Sequence, residues 1–347
     1  MAGVGDLRPS PEVVATPTLT AVEVSQVLAL TEAAADADGT HPLSEHVRLH
    51  LRHGGEPPAV HLLSRHGGEL VGYAHVDTTD RVDGAAAELC VHPLFRRRGL
   101  GRALVRRALA VAAEQDPAGR LRLWAHGDHP SATALALSLG FERFRVLWQL
   151  RRSLLEPLPA PVLPPGVALR AFVAGTDDEA WLAVNARAFA HHPEQGKWTA
   201  ADLRARLAED WFDPAGFLLA WDSNGRRAPS HGVREKDERL VGFHWTKVHG
   251  WPSTSDSPAG HHHPPIGEVY VIGVDPAGHG HGLGTALTLA GLHYLRGRGL
   301  DQVMLYVDDE NTGAARLYRQ LGFARWATDV CFRYPGPGGP SPGSPSA

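Results

Sequence analysis

Glu268 and Tyr318 place a carboxylate and a phenol in the second of two copies of one long sequence pattern. A carboxylate can take a proton from a nucleophile, and a phenol can give one to a leaving group. The first copy runs Ala-Glu-Leu-Cys-Val-His-Pro-Leu-Phe-Arg-Arg-Arg-Gly-Leu-Gly-Arg and ends at Arg102. The second runs Val-Tyr-Val-Ile-Gly-Val-Asp-Pro-Ala-Gly-His-Gly-His-Gly-Leu-Gly-Thr and ends at Thr285. Aligned on Pro93 and Pro276, Ala85 stands opposite Glu268. Aligned on the Leu-Gly-Phe that closes each copy, at Phe141 and Phe323, Ala136 stands opposite Tyr318 and His129 opposite Asn311. A glutamate at a strand start is commonly only solvated, and a tyrosine before Gly-Phe commonly only packs. Joint presence in one copy and joint absence from the other is what singles the pair out.

The elements that must hold these residues follow from the repeat. A Leu-Val-Gly-aromatic segment precedes each copy, at Leu70 to Tyr73 and Leu240 to Phe243, so four landmarks recur in one order and mark a duplicated domain. Helix-like segments at 21–35 and 179–189 open the repeats. Strand, strand, helix, strand, helix, strand follow. Leu104, Ala108 and Val111 form one apolar face of the first motif helix, and Leu287, Ala290 and Tyr294 that of the second. Such alternation predicts an α/β (α+β type) fold: two tandem domains, each a central mixed sheet flanked by helices. Prolines at 157, 159, 161, 164 and 165 predict a stiff linker over 154–166. The expected layout is a loose 1–16, a first domain over 17–153, a second over 167–334, and a Pro-, Gly- and Ser-rich tail over 335–347. The second copy is longer between its Val-Gly-Phe strand and its motif strand, and the excess falls in 249–265.

The chain has 347 residues, with 34 basic against 38 acidic side chains and a formal charge of -4. That balance gives no electrostatic case for nucleic acid or an anionic membrane as partner. Two cysteines in different repeats make no disulfide framework. No stretch approaches a spanning helix and no signal-peptide pattern opens the chain, so a cytoplasmic protein, as a monomer, is expected.

Each motif strand ends in x-Pro and a Gly-x-Gly turn that opens a helix. Glycines bring backbone N–H groups against a ligand, and the helix N-terminus adds roughly half a positive charge, which suits a pyrophosphate. A P-loop is excluded because no Gly-Lys-Ser/Thr follows. A dinucleotide fingerprint is excluded by the x-Pro segment and the missing third glycine.

Strand, Arg-Arg-x-Gly-x-Gly, helix, then Asn-x-x-Ala-x-x-Leu-Tyr and Leu-Gly-Phe resemble the GNAT superfamily of acyl-CoA-dependent N-acyltransferases. The resemblance spans roughly 17–152 and 167–333. It implies that the turn holds the pyrophosphate of acetyl-CoA, and that the strand before it splays and pairs with the pantetheine arm. One such site would use Leu89, Cys90, Val91, Arg97, Arg98, Gly99, Leu100, Gly101 and Arg102. The other would use Ile272, Gly273, Val274, His279, Gly280, His281, Gly282, Leu283, Gly284 and Thr285, with Asn311, Thr312, Gly313, Ala314, Ala315 and Arg316. Gly280 and His281 stand where many relatives carry arginine, which implies weaker side-chain charge toward the pyrophosphate. The catalytic pair implied is Glu268 as base and Tyr318 as acid, in the second repeat; the first binds acetyl-CoA without turnover or is structural.

Within the superfamily the match goes further. Ala-Asp-Gly-x-x-Pro-x-Ser-Glu ending at Glu45, Gly-Phe-His-Trp-Thr-Lys at 242–247 and Leu-Tyr-Val-Asp-Asp-Glu-Asn at 305–311 resemble two-domain actinobacterial enzymes that acetylate cysteinyl-glucosaminyl-inositol. This implies acceptor contacts from Glu45, Glu194, Lys247, Glu268 and Tyr306. Another small amine as acceptor, or an acetyl-CoA sensor without activity, stays open. No metal is expected: His261, His262 and His263 sit in a Pro-rich loop without carboxylate or thiol partners.

Overall fold

The structure, a computed structural model, describes residues 11–53, 59–80, 84–190, 195–223, 238–249, 265–278 and 282–336. It divides into two compact units. One comprises the chain up to Leu147 together with Ala327 onward, and the other Trp148 to Trp326.

In the first unit, the sheet runs β1 (Val14–Thr16), β2 (Ala59–His66), β3 (Glu69–Asp77), β4 (Ala85–Val91), β5 (Leu121–Ala125), and then β12 (Ala324–Tyr334), the last strand of the chain. Only the β4–β5 pair among those neighbours is parallel; β12 pairs antiparallel with β5 from Val330 against Ala125 to Tyr334 against Leu121. Helix α1 (Ala21–Asp38) starts where Thr20 and Glu23 form a reciprocal capping box, and stops at Gly39 in the left-handed region. Helix α2 (Glu45–His53) follows, then α3 (Leu100–Gln115) and α4 (Pro130–Ser138). Leu104, Ala108 and Val111 of α3 are buried against the sheet, as their spacing predicts, and Val330 and Phe332 of β12 complete the same core.

The second unit mirrors this order. Its sheet runs β6 (Glu142–Ser153, of which Trp148 onward belongs here), β11 (Gln302–Asp308), β10 (Ile266–Val274), β9 (Arg239–His249), β8 (Phe217–Asp222) and β7 (Val167–Ala171). Leu150 and Leu154 lie in its core, so each unit takes its outer strand from the other repeat's end of the chain. Helices α5 (Asp178–Ala188) and α6 (Ala200–Leu207) precede β8; α7 (Leu283–Gly297) and α8 (Thr312–Gln320) flank β11. Helix α7 is buried on more of its surface than the three-residue face predicts. Leu283, Ala286, Leu287, Leu292 and Leu295 are all buried, whereas Ala290 is half-buried. A second cluster stacks Phe217 on Trp245 at 4.2 Å, with Trp181 and Phe243 edge-on. Among the described residues no helix is long and apolar enough to cross a membrane.

Candidate active site

The motif strand β10 pairs with two different neighbours over different lengths. Against β9 it pairs from Ile266 to Val274, but against β11 only from Gly267 to Val269. Between these regimes the β9 register shifts: Val269 faces Thr246 and Val271 faces Trp245, with Tyr270 as the extra residue. A bulge of this kind bends the strand and raises its local twist. Past it, Ile272, Gly273 and Val274 line a cleft of about 510 Å³, together with Gly282, Leu283 and Gly284 at the start of α7, Asn311 capping α8, and Gly313, Ala314 and Tyr318 of α8. The first repeat shows the same divergence without a bulge: β4 pairs with β5 only from Ala85 to Glu88, short of Leu89 to Val91.

Each cleft-side helix opens on a left-handed glycine, Gly282 (φ +78°) at α7 and Gly99 (φ +86°) at α3. The first amides of a helix have no intrahelical acceptor, so both turns present N–H donors and a positive dipole end to an anion. The second turn is braced below by buried Asp275, which accepts from Ala277 N–H (3.0 Å), Arg187 (2.9 Å) and Arg239 (2.9 Å). In the first turn Arg96 donates to Asp38 through its two terminal guanidinium nitrogens, Arg98 donates to Leu94 O, and Arg102 donates to Ser138 Oγ. Arg97 is exposed at φ +63°. His279, Gly280 and His281 lie outside the described residues, as do Glu194 and the three loop histidines. On α8, Thr312 and Arg316 are exposed away from the cleft lining and Ala315 packs inward. Asn311 spends its side-chain oxygen on Ala314 N–H as the helix cap.

Tyr318 is buried, edge-on to Phe323 of Leu-Gly-Phe at 5.7 Å. Burial pushes its phenol up to about 12, so it holds its proton throughout the physiological range. Glu268 is buried on β10 in register with Lys247 on β9. Its Oε2 lies 2.6 Å from His249 Nε2. Burial pulls the Lys247 ammonium down to about 8, against the opposing pull of Glu268, and its Nζ sits 4.3 Å from the Trp211 ring centroid. His249 was visible in the sequence only as a neighbour of the His-rich loop. The signal for it was period two: it follows Lys247 on the same face of β9. Tyr306, on β11, is 42% exposed and its hydroxyl accepts from Gln149 (2.8 Å). Glu45, in the other unit, is the first residue of α2.

The bulge also revises the alignment of the copies. Counting along β3–β4 and β9–β10 from Gly72 and Gly242, the strand position matching Glu268 is Ala86, facing Asp77 where Glu268 faces Lys247. The gapless alignment on proline pointed to Ala85, one residue off because it cannot see Tyr270. The first unit nevertheless has a buried carboxylate of its own on its motif strand. Glu88 Oε2 accepts from Ser44 N–H and lies 3.5 Å from His126 Nε2, while His126 Nδ1 is 3.0 Å from Asp329. Asp329 also accepts from Gly127 N–H (2.8 Å). Glu88 is thus held in a structural network. Cys90 is buried, its thiol pushed up to about 12 by that burial, and Cys331 is buried too, so neither is poised as a nucleophile.

A motif strand diverging from its parallel neighbour, a helix start with unpaired amides at its end, and a buried phenol and carboxylate nearby are the parts expected of an acyl-CoA-dependent N-acyltransferase. The profile of the acetyltransferase (GNAT) family matches residues 27–141 and 194–323. The chain belongs to that family, whose members take acetyl from acetyl-CoA. It is 57% identical to a mycothiol acetyltransferase of Salinispora arenicola over 313 residues, covering 90% of this chain and 93% of that one. A GCN5-related N-acetyltransferase from Sphaerobacter thermophilus superposes with a TM-score of 0.63 at 26% identity, covering 94% and 96% of the two chains. A tandem GNAT protein from the clavulanic acid biosynthesis pathway shares the fold, with a TM-score of 0.65 at 22% identity over 94% of this chain and all of that one.

Proposed function

We propose that the second unit transfers acetyl from acetyl-CoA to the cysteinyl amine of cysteinyl-glucosaminyl-inositol, giving mycothiol. Buried Lys247 and Glu268 with half-buried His249, on β9 and β10, carry this reading, together with the identity to mycothiol acetyltransferases. Glu268 takes the ammonium proton and passes it to His249, which at 31% side-chain exposure can release it to solvent. The neutral amine then attacks the thioester carbonyl. As the tetrahedral intermediate collapses, the C–S bond breaks and Tyr318 protonates the departing thiolate. Glu45, Glu194, Lys247 and Tyr306 are read as contacts to the acceptor's ammonium and hydroxyls. The first unit is read as non-catalytic, since Ala86 and Ala136 stand where Glu268 and Tyr318 would be needed.

Mass detection of N-acetylated product from acetyl-CoA and cysteinyl-glucosaminyl-inositol tests the reading. Wild type is expected to form product rapidly, and Glu268→Ala to lose roughly a hundredfold or more in turnover. Acetyl-CoA binding without product from this acceptor would overturn the substrate while leaving the family intact.

A further inference from the structure

Four imidazoles gather in the first unit, away from the phosphate turn. His61 and His75 are direct register partners on β2 and β3, both buried, and α2 lays the half-buried His50 over them. Ring centroids are 5.6 Å (His50–His61), 5.0 Å (His50–His75) and 5.5 Å (His61–His75) apart. A tetrahedral ion held at about 2.0–2.1 Å by three imidazole nitrogens places the ring centroids about 5 Å apart, so the rings already stand at the right separation. One ligand atom from each lies within 4.8 Å of the others. A formed site needs about 3.3 Å, so ring rotation and an ångström-scale shift of His50 complete it. His46 sits one turn before His50 on α2 and is exposed.

Two further observations point to a ligand. His75 Nδ1 is buried with no hydrogen-bond partner, although His75 is only 3% exposed. Such an orphan is costly unless something unseen satisfies it. His61 Nδ1 is 2.8 Å from the hydroxyl of Tyr73, a contact that occupies this nitrogen and leaves Nε2 as the one to ligate. Metal-binding imidazoles are characteristically oriented through their other nitrogen in this way.

We propose that His50, His61 and His75 form a binding site for a divalent transition-metal ion, zinc foremost, with His61 ligating through Nε2. Water or His46 fills the fourth position. The imidazoles are already neutral, as ligation requires: burial lowers His61 to about 4 and His75 to about 3, and lowers His50 as well. The ion takes no part in acetyl transfer. It pins α2, the helix that begins at Glu45, to the strands beneath it. The expectation of a metal-free chain rested on the loop histidines, which are different residues.

The test uses the full-length chain with His261, His262 and His263 replaced by alanine, stripped of metal. One equivalent of Co²⁺ is expected to give the intense visible absorption of a tetrahedral nitrogen-bound ion, displaced by Zn²⁺, and zinc should raise the thermal transition of the first unit. His50→Ala, at a half-buried helix position, should abolish the absorption and weaken zinc binding by at least tenfold. Tyr73→Phe keeps all three ligands and should bind about tenfold more weakly. A Co²⁺ spectrum that stays that of the octahedral aqueous ion, or binding unchanged in His50→Ala, overturns the proposal.

Discussion

Lys247 and Tyr318 divide the alkaline range between them. Lys247 loses its proton near pH 8, whereas Tyr318 keeps its own to about 12. Acceptor KM is therefore expected to rise above pH 8 in wild type and to stay flat in Lys247→Arg, while kcat shows no alkaline fall from the phenol below about pH 10; steady-state profiles at saturating acetyl-CoA would check both. In the first unit the pH signature is one of stability. Burial alone would lower the pKa of His126, but the contacts with Asp329 and Glu88 outweigh it and raise the value to about 10. The folded chain keeps that proton after the unfolded chain has released it. The stabilisation is thus complete below about pH 6.5 and is lost as pH rises through about 10. Glu88 works in the opposite sense: despite burial, its partners hold it well below the carboxylate range, so its contribution is present above about 4.5 and lost as pH falls toward 2. Thermal melts of the first unit should fall in Tm between pH 7 and 10, and His126→Gln should lack that slope. Glu268 and Tyr318 stood out as candidates because comparing two copies exposed what one lacked, and the structure buries both. The Glu88–His126–Asp329 network was not, since its members are far apart in the chain and meet only through sheet pairing.

Among the elements, the motif strands and helices were legible from turn chemistry and periodicity. The bulge at Tyr270 left no local mark, because an extra residue shows only against the register of the strand beside it. Its consequence is large: a one-residue change of register sends a side chain to the other face of a sheet, so the bulge decides where Glu268 points relative to Ile272 to Val274. Two glycines, at the start and within α7, separate conformational from steric demand. An added Cβ at Gly282 would meet nothing within 4 Å, but φ +78° strains any other residue by about 1–2 kcal/mol. Gly282→Ala is expected to raise KM for acetyl-CoA several-fold with kcat nearly unchanged. At Gly291 the backbone is ordinary, yet a Cβ would collide with the His244 ring. Gly291→Ala should instead lower Tm by several degrees, as overpacking costs about 1–3 kcal/mol; calorimetry beside acetyl-CoA titration distinguishes the two.

At the scale of the whole chain, duplication could be read from landmarks, but the exchange of outer strands could not. Which edge a terminal strand chooses depends on long-range pairing that no local pattern encodes. Residues 1–147 alone lack β12, and with it Val330, Cys331 and Phe332, all almost fully buried. Expressed alone, that fragment should aggregate through the uncovered edge of β5, while the same fragment with 327–336 fused through a flexible linker should be soluble and melt cooperatively. The arrangement also orders events at the ribosome. The first half emerges first but waits, one strand short, until residues 327–334 have been translated. Synthesis rate, chaperone supply and any premature stop before β12 thus bear on the N-terminal half as much as on the half still being made.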